Sequence, residues 1–176
     1  KFPLGNSNLF VIGVGYRLQD DDTESLDNRF IPDDKVMPMY SGFIQDQITI
    51  KPDRLILTVG TKFLHNVYTG FEVQPTIRAA WTPDTKNTLW AAVSRAVRTP
   101  SRFDIELTNF NRVEHPDFLS EEVIAYELGY RLRPWQKLSF SIATFYNQYD
   151  DLRSINSTEV PGFLYFGNDL AANTWG

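Results

Sequence analysis

The feature of this sequence that most constrains its fold is an alternation of apolar and polar residues with a period of two. In residues 72–82, Val73 and Trp81 fall on one side of an extended chain, and Glu72 and Arg78 fall on the other. The same alternation recurs along the chain at residues 10–18, 40–50, 54–63, 88–98, 121–132, 138–147 and 163–171. A period of two is that of a half-buried β-strand, and no long segment has the spacing of an amphipathic helix. The sequence therefore predicts an all-β, antiparallel fold with about eight strands.

The lengths of these strands and of their links favour a membrane-spanning sheet. The segments are longer than the ~5–6 residues of an ordinary strand and match the ~9–11 residues that a tilted strand needs to cross a bilayer. Tight links that contain Pro alternate with longer links: the tight ones lie at residues 51–53, 83–87 and 133–137, the longer ones at 20–38, 66–71, 99–120 and 151–162. This alternation predicts a segment of a transmembrane β-barrel with short periplasmic turns and long extracellular loops.

Aromatic residues support the same interpretation. Phe, Tyr and Trp make up 14% of the chain, and many of them lie near predicted strand ends, as in the aromatic belts of membrane barrels. Trp81, Trp90, Tyr130 and Trp135 lie near the predicted periplasmic turns, and Tyr40, Phe63, Tyr68, Tyr146 and Tyr149 lie near the opposite ends. The pattern alone leaves open a soluble β-domain with an aromatic core. Strand length and loop order favour the barrel.

Composition excludes several other classes of protein. A net charge of −5 is contrary to the basic surface of a general nucleic-acid binder. The chain has no Cys, which removes disulfides, thiolate metal sites and cysteine nucleophiles. The sequence contains no run of 18 apolar residues, which a transmembrane helix would need. The N-terminal residues resemble neither a signal peptide nor a transit peptide, so we expect a mature chain or part of a longer one.

Four motifs, in order, resemble the barrel of the TonB-dependent outer-membrane receptors. They are residues 40–47 (YSGFIQDQ) followed by 55–60 (LILTVG), residues 98–101 (RTPS) at the end of the 72–103 hairpin, residues 119–121 (LSE) followed by 126–129 (YELG), and residues 143–152 (ATFYNQYDDL). Lys62 stands where the family pattern usually has Arg, and Ser120 replaces the usual Pro. The motifs extend over nearly the whole chain.

The resemblance implies active uptake of a scarce ligand, such as a ferric siderophore, haem, cobalamin or a glycan, with energy transmitted by TonB. Family barrels have about 22 strands around a plug domain. The eight strands predicted for residues 1–176 are therefore expected to be an internal part of such a barrel, with the plug domain and the TonB box absent. The implied location is the outer membrane. The implied partners are outer-membrane lipid and lipopolysaccharide, the receptor's own plug and TonB, and an unidentified small molecule.

Five charged residues on the polar sides of the strands are predicted to face the lumen of the barrel: Lys62, Arg78, Arg98, Glu127 and Arg131. They could contact a plug or a ligand, but we expect lumen charges mainly to pair with one another. Arg95 is the exception, because its position places it among apolar residues. It either faces outward, where it could contact lipopolysaccharide phosphate, or is turned by a bulge.

No group of residues predicts catalysis or a metal centre. His65 and His115 lie far apart in sequence, and each is more consistent with a solvated loop than with a ligand role. The acidic residues at 20–22, 24 and 27 lack the spacing of an EF-hand loop and predict a solvated acidic loop. We therefore expect no enzyme and no cofactor. A passive porin, an outer-membrane hydrolase and a soluble ligand-binding β-domain remain as alternatives.

Overall fold

The computed structural model describes residues 2–176 apart from 6, 25–27, 110–112 and 114–116. The described chain is almost entirely antiparallel β-structure with one helical turn. Its elements are β1 (Phe2–Leu4), β2 (Asn8–Asp22), β3 (Arg29–Phe30), β4 (Asp34–Lys51), β5 (Leu55–Asn66), β6 (Gly70–Trp81), β7 (Asn87–Arg98), α1 (Arg102–Ile105), β8 (Leu107–Thr108), β9 (Glu121–Trp135), β10 (Leu138–Ser157) and β11 (Leu164–Trp175).

Nine strands form one sheet in the order β1-β2-β4-β5-β6-β7-β9-β10-β11. Each long strand pairs with the next long strand along the chain, so the sheet is a meander. The sheet is open, with β1 and β11 at its edges, as expected for part of a larger barrel. The eight long strands confirm the predicted number, and β3 pairs separately with β8.

The links divide the sheet into two ends. At one, which we call the turn end, the links are residues 5–7, 52–54, 82–86 and 136–137; at the other, the loop end, they are residues 23–33, 67–69, 99–120 and 158–163. This arrangement confirms the predicted placement of the short turns. One predicted long link is wrong, because residues 66–71 hold only a three-residue turn. The Asn66 side-chain oxygen accepts the backbone N–H groups of Tyr68 and Thr69, at 2.8 and 3.0 Å, and closes that turn.

Strand pairing separates the two faces of the sheet as the alternation predicts. Residues directly opposite each other share a face, and the registers are continuous from β2 to β9 except beside the Lys51 turn and at the loop end of the β6–β7 pair. The apolar face carries Leu57, Ile77, Leu128 and Ile142, and the polar face carries Thr58, Arg78, Glu127 and Ser141. No helix in the described part of the chain has the length and apolar character needed to cross a membrane.

The structure corrects the aromatic assignment in part. Trp81, Tyr130, Tyr40, Phe63 and Tyr146 lie on the apolar face, as a membrane belt requires. Trp90 and Tyr149 lie on the polar face instead. Trp90 packs over Gly129 of the neighbouring strand, where a Cβ atom would clash with the indole ring. Proximity to a turn therefore does not determine which face an aromatic residue occupies.

Candidate functional site

All five charged residues predicted from the sequence lie on the polar face. Arg98 forms ion pairs with Glu121, at 2.6 Å, and with Asp104, at 3.2 Å. Among the described residues, the other four form no ion pair within 4 Å; these are Lys62, Arg78, Glu127 and Arg131. Arg98 is therefore the one of the five that has ion-pair partners within the described residues, and neither partner is another of the five.

Asp104, on α1, is the buried centre of an ionic cluster at the loop end. Its carboxylate accepts hydrogen bonds from the Ser101 backbone and hydroxyl, at 2.9 and 2.8 Å. It also receives the guanidinium groups of Arg98, at 3.2 Å, and Arg153, at 3.0 Å, so it connects β7 to β10. Burial favours the neutral acid, but the bonds from Ser101 and Arg98 hold the pKa of Asp104 below its ordinary value.

Glu106 forms a second buried centre, one residue beyond α1. Its carboxylate pairs with Lys35 of β4, accepts the Tyr68 hydroxyl at 3.0 Å and accepts Nε of Arg102 at 2.7 Å. Burial and the nearby Glu106 carboxylate raise the pKa of Tyr68, so its hydroxyl stays protonated and donates to that carboxylate.

Arg102 attaches the same segment to the link between β3 and β4. Its guanidinium donates to the backbone carbonyls of Pro32 and Asp33 and lies 5.0 Å from the centre of the Phe30 ring. Asp104, Arg102 and Glu106 are each at least 95% buried. We call residues 99–108 the strap, because this segment crosses the polar face and is fixed to β4, the β5–β6 turn, β7 and β10.

Reasoning from the sequence missed the strap. Arg102, Asp104, Glu106 and Arg153 were not singled out, because several of their partners, such as Pro32 and Lys35, are distant in the chain. Two local signals were available. The spacing of Ser101 and Asp104 is that of a capping box and predicts a helix start, and the i,i+4 spacing of Arg102 and Glu106 allows an ion pair on one side of a helix.

A cavity of about 340 Å³ lies beside the strap on the polar face. Residues from four segments of the chain line it, including Arg17, Met37, Met39, Tyr68 and Phe103. Among the described residues, the Arg17 guanidinium has no hydrogen-bond or ion-pair partner. The cavity therefore offers a cation, two thioethers and aromatic rings to a molecule that enters from the loop end.

A second cavity, of about 420 Å³, lies on the polar face nearer the turn end. Arg78 and Glu127 contribute to its wall together with Trp90, Thr58 and Ile56. Ala92 lies between the two charged residues in the cross-strand register, so they are separated by about two strand spacings, roughly 10 Å. Two unpaired opposite charges in a cavity are suited to contact a polar surface that enters the lumen.

The residues considered for metal binding that the structure describes do not form a site. Within the described residues, no group of His, Asp and Glu could hold a metal ion. His65 lies on the apolar face beside Tyr40, with ring centres 6.3 Å apart. Residues 20–22 belong to β2, whereas His115 and Asp27 lie outside the described residues.

A family model described as "TonB dependent receptor-like, beta-barrel" matches residues 1–176. Similar solved structures include the siderophore receptor PirA from Pseudomonas aeruginosa, with 19% identity, a TM-score of 0.79 and coverage of 96% of this chain and 32% of that one. The siderophore receptor PirA from Acinetobacter baumannii is similar at 16% identity and a TM-score of 0.79, over 99% of this chain and 32% of that chain.

A third similar structure is the ferric enterobactin receptor PfeA of Pseudomonas aeruginosa, solved as an R480A mutant in complex with enterobactin. It has 18% identity and a TM-score of 0.82, over 99% of this chain and 31% of that one. The chain thus spans about a third of the length of these receptors. No curated protein matches the sequence.

Proposed function

Because the chain belongs to the β-barrel family of TonB-dependent receptors, we propose that it forms part of an outer-membrane receptor that takes up a small molecule with energy from TonB. The family match over all 176 residues is the observation that carries this proposal. The family is one of outer-membrane receptors and transporters. We accordingly propose an outer-membrane location and no catalytic activity for this protein.

The two faces and the two ends give the proposal its orientation. The apolar face is assigned to lipid and the polar face to the lumen, since exposed charge on the lipid side is costly. Lys62, Arg78, Glu127 and Arg131 would then face the interior. The loop end is assigned to the cell exterior, because barrels of this kind carry their longer loops there.

We propose that the cavity beside the strap contributes to the ligand site. It lies at the exterior end of the lumen face, where a ligand would arrive first. Arg17 supplies an unpaired cation, and Met37, Met39 and Phe103 supply polarisable and aromatic surface. This combination suits an anionic chelate with flat rings, and a ferric siderophore is the ligand class that we propose.

The domain assignment is also a proposal. Residues 1–176 would supply eight strands of the complete barrel, and the plug domain and TonB box would lie elsewhere in the full-length protein. The cavity with Arg78 and Glu127 is the part of the lumen face that we assign to contact with the plug. Lipid and lipopolysaccharide would surround the apolar face.

Uptake measured with and without TonB tests the proposal. Cells that express the full-length receptor should accumulate ⁵⁵Fe-loaded siderophore only when TonB is functional. Arg17→Glu should reduce uptake and siderophore binding, whereas the matched change Arg131→Glu, near the turn end, should reduce binding much less. Uptake that is independent of TonB would instead support a passive channel and overturn the proposed function.

A further inference from the structure

The pairing between β6 and β7 ends halfway along the two strands. It extends from Trp81 opposite Leu89 to Thr76 opposite Ser94 and then stops. By contrast, β6 pairs with β5, and β7 with β9, over their full lengths. The next residue on β6 is Pro75, which has no backbone N–H and cannot donate to a ladder. We call the unpaired stretch between β6 and β7 at the loop end the seam.

Arg95 closes the seam with its side chain. Continuation of the register would place Arg95 opposite Pro75. Its Nη1 donates to the backbone carbonyl of Val73 on β6 at 2.6 Å. Its Nε and Nη2 donate to Glu122 of β9 at 2.8 and 2.6 Å, and Nη2 lies 3.9 Å from Glu72. The guanidinium therefore replaces part of the ladder that Pro75 interrupts.

This geometry accounts for an arginine among apolar residues. The register between β7 and β9 is unbroken from Asn87 to Arg98, so no bulge turns Arg95 towards the lumen. Arg95 lies opposite Ile124 on the apolar face, and its long side chain extends towards the loop end.

The seam leaves an apolar groove of about 360 Å³ on the outer surface of the sheet. Its walls include Pro75, Ile77, Val93, Ile124 and Tyr126, and the side chain of Arg95 lies at its loop end. Ile77, Val93 and Tyr126 are 53%, 44% and 41% exposed, so the groove is open to whatever surrounds the barrel. Under the proposed function, that surrounding is the outer leaflet of the membrane.

The chemistry at the head of the groove selects the kind of group that it holds. Glu122 and Glu72 offset the charge of Arg95, so the site offers no net attraction to a phosphate. Among the described residues, three of the five guanidinium hydrogens have partners, which leaves two for a ligand. A neutral oxygen acceptor, such as an amide or ester carbonyl, satisfies those donors without adding charge.

We propose that the seam binds one acyl chain of the lipid A of lipopolysaccharide, with the carbonyl of the acyl linkage accepting hydrogen bonds from Arg95. This inference rests on the proposed function only for the membrane location and the direction of the strands. Lipid A fits the groove because its acyl chains begin at the exterior interface with amide or ester carbonyls and extend towards the midplane. The groove has the same polarity, from Arg95 at the loop end to Ile77 at mid-strand.

Native mass spectrometry of the full-length receptor tests the site. The receptor is reconstituted in phosphatidylethanolamine nanodiscs with and without Kdo₂-lipid A, and bound lipid is counted after transfer to detergent. Wild type should retain one lipid A, and Val93→Trp, which fills the groove, should reduce retention at least tenfold. Ile124→Trp provides a second filling variant. Ile142→Trp, on the same face but outside the groove, is the matched control and should retain lipid A.

Two outcomes would overturn the lipid site. One is equal retention of lipid A by both folded filling variants and the Ile142→Trp control; the other is retention of phosphatidylethanolamine in place of lipid A. Folding is checked for each variant by the shift in gel mobility between heated and unheated protein. TonB-dependent uptake, measured separately, should be unchanged in Val93→Trp. Absence of uptake in wild type with normal lipid A retention would contradict the proposed function but leave the lipid site standing.

Discussion

Replacement of Leu128 by arginine is the most direct test of the assigned membrane face. Leu128 is the eighth of the fifteen residues of β9, so it lies at the midpoint of a strand that runs from one end of the sheet to the other. Its neighbours in the register are Ala91 on β7 and Thr144 on β10, and its side chain is 47% exposed. If this face contacts lipid, Leu128 lies near the midplane of the bilayer.

The expected cost follows from that depth. Arg on the lipid face of a barrel costs about 2–4 kcal/mol at the midplane and about 0–1 kcal/mol near the interfaces. Leu132 lies on the same face, four residues nearer the turn end, which is about 13 Å along the strand. At a tilt of about 40° this gives roughly 10 Å of depth, close to the edge of a ~25 Å apolar band. Leu132→Arg should therefore cost much less than Leu128→Arg.

Urea denaturation of the full-length receptor in phospholipid vesicles measures both costs. Leu128→Arg should lower the folded-to-unfolded ratio about 30- to 700-fold, since each 1.4 kcal/mol is tenfold. Glu127→Gln, on the polar face of the same strand, should change it little. Equal stability of Leu128→Arg and Glu127→Gln would show that the faces are assigned wrongly. Equal costs at Leu128 and Leu132 would refute the depth argument and indicate a packing effect instead.

Three further predictions concern topology, the strap and the polar face. Single Cys variants of the full-length receptor, made at Ser157 and Gln136 in a background without other Cys, should differ on intact cells, because these positions lie at opposite ends of β10. An impermeant maleimide should label the first and not the second, and labelling of Gln136 from outside would invert the model. The lowered pKa of Asp104 stabilises the strap at pH values above the ordinary Asp pKa of ~3.9, so pepsin should cleave residues 99–120 increasingly as pH falls below ~4. Asp104→Asn removes a buried acceptor worth about 1–3 kcal/mol and should make the strap sensitive to proteases already at neutral pH. A wild-type strap that opens equally at pH 5 would contradict this reasoning. Gly129→Ala should cost about 1–3 kcal/mol by displacing Trp90, and the cost should fall in a Trp90→Ala background; strictly additive urea midpoints would argue against that contact.

The faces of the sheet were predictable from the sequence because they depend on a local property. Side chains alternate along any extended strand, so one correctly placed residue assigns its whole strand. The predicted polar positions Lys62, Arg78, Arg98, Glu127 and Arg131 accordingly fall on one face. The lengths of the links predicted the end of the sheet at which each link lies, and the four motifs predicted the family.

Features that depend on contacts between distant residues were not predictable. The turn at residues 67–69 looked like a longer link because the Asn66 side chain that closes it has no strong sequence signal. The strap depends on pairs such as Glu106 with Lys35, which are 71 residues apart. The hydrogen-bond partners of Arg95 follow only once the β6–β7 register is known, because its continuation brings Arg95 close to Pro75, twenty residues earlier in the chain.

Different interactions stabilise the two ends of this sheet, and the difference has a functional consequence. Towards the turn end, backbone ladders join the neighbouring long strands, whereas the ladder between β6 and β7 stops before the loop end. At the loop end, the buried carboxylates of Asp104 and Glu106 fix the strap, and the half-buried side chain of Arg95 closes the seam. Buried ion pairs contribute little net stability because desolvation offsets their attraction, and we propose that those of the strap serve mainly to define its geometry. We therefore expect substitutions at the loop end to reshape the cavity beside the strap while the strand register persists. Under the proposed function, this would let ligand preference change on a constant barrel.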